Sequence, residues 1–361
     1  MRDREVDVIQ SGGAAGEDLT HIVDDNFGHI SSVGPASRRR DSVQRPAPDC
    51  RATLQTRPDT AHGGSMASNS SPPVVVGVDG SPSSLGALDY AAQWAVRRQT
   101  SLRMVNVLAR PYHAFPYGGF LILKPDEQLR AAADARLREL ADKVRSERPD
   151  LTGVQAVTAI GHSAAVLIEQ SRQAAVTVVG CRGVGGFEQL MLGSTSAHLA
   201  AHGHGAIVII RPPVAVAPDP VQRAPHRTLG PILACCDGSP ASVAALRFAA
   251  GEAALRDVPL TVAHVYERDE PAAKQLLIEA VAPWADDYPG KPIELRPIYS
   301  QHQPQYALLE ASRHAALTVI GARGHSGLTS LLLGSVSRYL IHQAYGPVAV
   351  VHPAEQGKEG K

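Results

Sequence analysis

Two stretches, GCRGVGGFEQLMLGS (Gly180–Ser194) and GARGHSGLTSLLLGS (Gly321–Ser335), share one spacing: Gly-x-x-Gly, nine residues, then Gly-Ser. Glycine loses more conformational freedom on folding than any other residue, so three at one spacing mark a site defined by its backbone. The spacing returns 141 residues later, and its surroundings return with it. SRQAAVTVVGCRG (Ser171–Gly183) is replayed as SRHAALTVIGARG (Ser312–Gly324), and AIVII (Ala206–Ile210) as PVAVV (Pro347–Val351). Further upstream, PVVVGVDGSPSS (Pro73–Ser84) is replayed as PILACCDGSPAS (Pro231–Ser242). The chain is a tandem repeat. Asp79 and Asp237 are 158 residues apart, so the second copy is 17 residues shorter, between its second and fourth strands.

Within the first copy, short β-branched runs alternate with helical patterns. VVVGVD (Val74–Asp79) predicts a buried parallel strand, and SLRMVNVLA (Ser101–Ala109), VQAVTAI (Val154–Ile160), AVTVVG (Ala175–Gly180) and AIVII predict four more strands. Between them, a helix capped by Ser83 or Ser84 turns Leu85, Leu88, Ala92 and Ala95 to one face. A longer helix starts near Pro125, with Leu129, Ala133, Leu137, Leu140 and Val144 spaced three or four apart. Two more helices follow, around Ala164–Gln170 and after Gly193. Such alternation demands right-handed crossovers. The predicted fold is therefore α/β, with two tandem Rossmann-like domains, each a five-stranded parallel sheet flanked by helices on both faces. The last strands are apolar edges, and two copies in one chain can cover each other there.

The domain boundaries follow from composition. Residues 1–71 include the aperiodic, Pro/Ser/Arg-rich SSVGPASRRRDSVQRPAPDC and predict a disordered N-terminal extension. Met66 is a candidate start of translation that would leave most of that extension unmade. Domain 1 is placed at 72–212, a Pro-rich linker at 213–228, domain 2 at 229–353 and a disordered tail at 354–361. Acidic and basic residues balance at 35 each in 361, which favours neither nucleic acid nor a membrane surface as partner. Aromatics are only 4%, a poor supply for stacking bases. Four cysteines make no disulfide framework, and no apolar run approaches a membrane span, so a cytoplasmic protein is expected.

In an open parallel sheet, ligands bind beyond the carboxyl ends of strands where the strand order reverses. Asp79 ends the first strand and Gly180 the fourth, and outward winding in both directions sets these ends side by side. The glycine loop then offers bare backbone N–H groups. Gly193-Ser194-Thr195-Ser196 opens a helix, whose unpaired N–H groups and dipole favour an anion such as phosphate. Asp79, unsuited to phosphate, is placed to accept hydrogen bonds from a sugar or base. Asp-Gly-Ser-Pro is also a turn in which the aspartate bonds its own loop, and the two roles can coexist.

These residues resemble the universal stress protein family in its tandem form. The resemblance covers roughly Val74–Arg211 and Ile232–His352, and Gly-x2-Gly-x9-Gly-Ser is the signature of the family's ATP-binding branch. It implies ATP as ligand, with Mg2+ held mainly by the phosphates. By position it implies that Asp79 and Asp237 meet the adenosine, and that Val107 and Val265 meet the adenine through backbone. Gly180, Gly183, Gly193 and Ser194 would hold ribose and phosphates, as would Gly321, Gly324, Gly334 and Ser335. Thr195 and Val336 would each add a backbone donor. Two departures fall in the second copy: His302 where the first has Gly161, and Cys235-Cys236 in place of Gly77-Val78.

Other chemistry reads as bland. Arg182 and Arg323 lie inside the glycine loops and suit either phosphate or solvent. Cys235-Cys236 sits in a buried strand as small hydrophobes. His198, His202 and His204 lack a carboxylate or thiolate to complete a metal site, and ERDE (Glu267–Glu270) reads as a solvated loop. No Gly-x4-Gly-Lys-Ser/Thr loop occurs, and no general base is placed near the serines. The expectation is a nucleotide-dependent stress-response protein without efficient catalysis. A slow ATPase and a ligand-free interaction module are the alternatives. Pairing of the tandem chain into a homodimer is left open.

Overall fold

A computed structural model describes residues 71–109, 112–114, 120–122, 127–183, 192–211, 230–284, 293–324 and 333–353. The expectations for residues 1–70, the linker and the tail lie outside them.

The apolar runs form the strands of a single ten-stranded sheet. In the first copy these are β1 (Val74–Gly77), β2 (Leu102–Leu108), β5 (Val154–Ile160), β6 (Val176–Gly180) and β7 (Ala206–Ile210). A separate antiparallel hairpin joins β3 (Tyr112–Ala114) to β4 (Phe120–Ile122). In the second copy they are β8 (Ile232–Cys235), β9 (Leu260–Tyr266), β10 (Ile293–Tyr299), β11 (Leu317–Gly321) and β12 (Val348–Val351). The order β10-β9-β8-β11-β12-β7-β6-β1-β2-β5 is parallel within each copy and antiparallel only at the seam, where Val348 faces Ile209 and Val351 faces Ala206. Every residue of β7 and β12 is buried. The edge strand of each copy thus finds its partner in the other.

Helices cover both faces. α1 (Pro82–Arg97), α2 (Glu127–Glu147), α5 (Pro240–Arg256) and α6 (Glu270–Val281) lie over one core, which runs unbroken across the seam. α3 (Ser163–Ser171), α4 (Ser194–His202), α7 (Pro304–Ala311) and α8 (Ser335–Gln343) lie over the other. The N-cap of α1 is Ser81, two residues before Ser83 and three before Ser84, the predicted caps. Pro82 occupies the first turn, where its fixed φ suits a helix start, and the Ser81 hydroxyl accepts from the Ser84 amide. Ser239 and Pro240 repeat this in α5. Leu88, Ala92 and Ala95 are buried as predicted, but Leu85 is 42% exposed and Leu129 55% exposed, because each lies at the margin of its helix's apolar stripe. ERDE is only partly a loop: Asp269 caps α6 through the Ala272 amide, and Glu270 begins the helix. The shortening falls largely after the second strand: residues 109–126 with the hairpin separate β2 from α2, whereas only residues 267–269 separate β9 from α6.

One charged cluster fastens the two copies together. Glu252 on α5 is 1% exposed and meets Arg98 at 2.7 Å and Arg256 at 3.0 Å, and it also accepts from the Trp94 indole of α1. Arg256 in turn donates to the Tyr90 hydroxyl at 2.7 Å. On the opposite face a reciprocal clasp crosses the seam. Arg211, just past β7, donates to the Ile341 carbonyl at 2.9 Å, and His352, just past β12, bonds the Ala200 carbonyl at 3.0 Å.

Candidate functional site

Each copy reverses its strand order between its first and fourth strands, β1 and β6 or β8 and β11. Both β1 and β8 run into Asp-Gly-Ser-Pro, and the aspartate binds its own turn. Asp79 Oδ1 accepts from the Ser81 amide at 2.9 Å, and Asp237 Oδ1 from the Ser239 amide at 3.0 Å. Gly80 and Gly238 have φ near +80°, a conformation that a side chain strains. The second carboxylate oxygen points at the glycine loop. A Cβ on Gly183 would lie 2.5 Å from Asp79 Oδ2, and one on Gly324 would press on Asp237 Oδ2 as closely. Any side chain there would have to displace the carboxylate. The Asp-to-glycine crevice is therefore built twice, with the same contacts.

The remaining predicted residues divide between crevice and frame. Gly193 and Gly334 are the N-caps of α4 and α8 and supply no side-chain cap. That leaves first-turn N–H groups of Ser194, Thr195, Ser335 and Val336 without an internal helical partner. The Gly193 amide donates to the Cys181 carbonyl at 2.7 Å, and the Gly334 amide to Ala322 at 2.9 Å, which folds each loop back onto its strand. Gly180 and Gly321 belong to the frame. A Cβ on Gly180 would meet the Ser83 carbonyl carbon at 2.6 Å, and one on Gly321 the Ala241 carbonyl carbon at 2.7 Å. They let the first helix of each copy pack against the sheet. Val107 and Val265 are half-buried near the ends of β2 and β9. Residues 184–191 and 325–332, the middles of the two signatures, lie outside the described residues.

Four serines that sequence reasoning missed hold this frame. Ser196 Oγ donates to the Gly180 carbonyl and Ser337 Oγ to the Gly321 carbonyl, both at 2.7 Å. Each ties a helix N-terminus to the strand before the loop. Ser81 and Ser239, besides capping α1 and α5, donate to the Arg182 and Arg323 carbonyls at 3.2 and 3.3 Å. The available signal was the repeat itself, Gly-Ser-x-Ser and Asp-Gly-Ser-Pro in both copies.

Neither departure of the second copy disturbs the crevice. β5 ends at Ile160, paired with Leu108, and β10 at Tyr299, paired with Tyr266, so Ser300 takes the place of Gly161. The Gly161 amide donates to Leu108 and the Ser300 amide to Tyr266. His302 belongs to a local insertion before α7, correcting its equation with Gly161. Cys235 and Cys236 are buried in opposite cores, with their thiols free, as neighbours on a strand should be. Burial chiefly, with Cys236 and Asp237 nearby, pushes the Cys235 thiol up to about 12, so it stays a protonated hydrophobe. His198 and His202 bond carbonyls of their own helix, and no metal-binding cluster occurs among the described residues. Nor is any described helix long and apolar enough to cross a membrane.

Fold and site define a duplicated Rossmann-like module with a glycine-lined crevice at each switch point. A model of the universal stress protein family matches residues 72–211 and 228–352, and the chain belongs to that family. A universal stress protein of Mycolicibacterium smegmatis is 33% identical over 296 residues, covering 78% of this chain and 97% of the relative. One from Mycobacterium tuberculosis is 31% identical over 309 residues, with the same coverage. The crystal structure of a universal stress protein from Archaeoglobus fulgidus shares the fold at 19% identity, with a TM-score of 0.60 over 78% of this chain and 99% of that one.

Proposed function

We propose that the chain is a nucleotide-dependent regulatory protein of the stress response that binds ATP in both crevices and turns it over slowly, if at all. The observation that carries this reading is the twofold approach of Gly183 to Asp79 and Gly324 to Asp237. Packing alone explains Gly180 and Gly321, but the second pair keeps side chains away from a carboxylate that already bonds its own turn. Asp79 and Asp237 would accept from the ribose or base. Val107 and Val265, near the ends of their strands, would face the adenine through backbone. The first turns of α4 and α8 would take the phosphates, and Mg2+ would ride on those phosphates. Bound ATP would supply charge at two helix N-termini. With no base aimed at the crevice by any described contact, hydrolysis is not favoured.

The test is thermal. At a hundredfold excess over its dissociation constant, a ligand of one site stabilises the native state by about 2.7 kcal/mol. ATP with magnesium should raise the melting temperature of the wild-type chain, less so for Gly183→Leu, and not at all for Gly183→Leu/Gly324→Leu. An unchanged shift in the double variant would overturn the assignment. Steady ADP release, lost in Asp79→Ala, would favour the slow ATPase.

A further inference from the structure

The second copy contains a cleft at a place that an arginine bridge crosses in the first. It has a volume of about 470 Å3 and lies between α7 and the strands β8, β9 and β10, of which β10 is the sheet edge. Pro231, Leu233, Thr261 and Glu294 sit near the starts of their strands, so it opens toward the end of the sheet away from the glycine loops. A volume of that order suits a small molecule.

Strand register supplies the comparison. Leu102 and Leu260 are equivalent, each paired with the first residue of its copy's first strand, so Arg103 corresponds to Thr261. The next strands begin at Val154 and Ile293, so Gln155 corresponds to Glu294 and Val157 to Arg296. In the first copy the Arg103 guanidinium donates to Gln155 at 3.1 Å and to Gln170 of α3 at 3.1 Å, bridging sheet and helix. In the second copy the bridge is cut short. Thr261 Oγ1 reaches only Glu294, at 3.0 Å, and the helix position equivalent to Gln170 is Ala311. Val166 likewise becomes Ala307. Three long or branched side chains have become smaller, while Ala159 becomes Ile298 on the floor and Val157 becomes Arg296 at the rim, and the space left lies above Leu233 and Ile298.

The polar groups around that space are not neutral in their needs. Glu310 is engaged by Arg313 at 2.8 Å, and Glu294 receives the Thr261 hydroxyl. Arg296 and His314 line the cleft as solvent-exposed side chains at its rim. Arg296 is a donor and His314 offers one ring N–H, and both stand where the first copy has Val157 or Gln173. The cleft sets these two side chains beside an apolar floor of Leu233, Ile298, Ala311 and Ala315, with Glu294 and Glu310 already engaged by Thr261 and Arg313. From this we infer that the second copy carries a binding site, separate from the nucleotide crevice, for a small organic anion: a carboxylate or sulfonate whose head meets Arg296 and His314 and whose apolar body lies on that floor.

The probe is 1-anilinonaphthalene-8-sulfonate, a flat apolar body with one anionic head, titrated by fluorescence into the full chain with ATP and magnesium in excess. Wild type should show saturable enhancement with one site per chain. Thr261→Arg/Ala311→Gln, which restores the first copy's bridge, should abolish it, and Arg296→Ala should weaken it at least fivefold. The ATP-induced melting shift should be the same in every variant. Should the double variant fail to fold, Arg296→Glu replaces it, with loss of binding expected. No saturable site, enhancement unchanged in the filled or charge-reversed variant, or displacement of the probe by ATP would each overturn the inference. Because the probe is read apart from the nucleotide response, this site can fail while the nucleotide assignment stands, and the reverse.

Discussion

The two copies agree most closely where sequence identity is least informative about packing and differ most at their outer edges. Asp79 and Asp237, Gly183 and Gly324, Ser196 and Ser337 repeat one another's contacts to within about a tenth of an ångström. The flanks diverge: a hairpin and a longer helix in the first copy, a cut bridge and an open cleft in the second. Duplication preserved the switch-point frame and freed the edges to change. Residues that set backbone approach have no substitutes, whereas a bridge such as Arg103–Gln170 can be dismantled at moderate cost.

The largest effect should come from the seam that makes the copies one body. Glu252→Ala would leave Arg256, whose side chain is 2% exposed, without its carboxylate, at a cost of about 3–5 kcal/mol in urea unfolding. Glu169→Ala, which removes an exposed pair with Arg172, should change nothing measurable. If Glu252→Ala were equally silent, the copies would not be held by this cluster.

Next come the packing glycines. Gly180→Ala and Gly321→Ala each force a methyl onto helix backbone and should cost about 1–3 kcal/mol without ligand. Gly183→Ala meets only a carboxylate side chain, so its unliganded stability should change less while its nucleotide response falls. Equal losses at all three positions would erase the division between frame and crevice.

The His352 side of the seam clasp should respond to pH. Burial chiefly, helped by the neighbouring His204, Arg323 and His202, lowers His352 from 6.5 to about 4, against its hydrogen bond to Ala200. The folded state holds the ring neutral, while the unfolded chain takes up a proton below pH 6.5. The stabilisation is therefore complete above about pH 6.5 and is lost as pH falls toward 4, by on the order of 1–2 kcal/mol. Its counterpart Arg211 keeps its charge throughout that range. Stability curves of wild type and His352→Gln should converge at low pH, and parallel curves would contradict the buried neutral ring. Smallest of all, Ser196→Ala and Ser337→Ala should each cost about 1 kcal/mol, equally in the two copies.

Much of this was legible in the sequence. A strand buried on both faces reads as a continuous Val/Ile run, so Ala206–Ile210 matches residue for residue; Val154–Ile160 matches too, although as an edge strand it is only partly buried. The seam followed from two apolar edges in one chain. Glu252 did not, since a carboxylate inside a helix looks like a solvated one until Trp94, Arg98 and Arg256 surround it. YHA and FLI were too short to show alternation. Equating His302 with Gly161 failed because counting back from the glycine loop slips past a local insertion that only strand register reveals. Of the site, the aspartates and glycines were plain from spacing. The division of labour between Gly180 and Gly183 was not, because spacing is blind to which side of a glycine is occupied.

Calorimetric titration of nucleotide-free protein with ATP and magnesium addresses the twofold crevice most directly. Two ATP per chain are expected for wild type, one for Gly183→Leu and one for Gly324→Leu. No binding by the wild-type chain, or a count that neither variant lowers, would show that the paired Asp-to-glycine approach serves the fold alone.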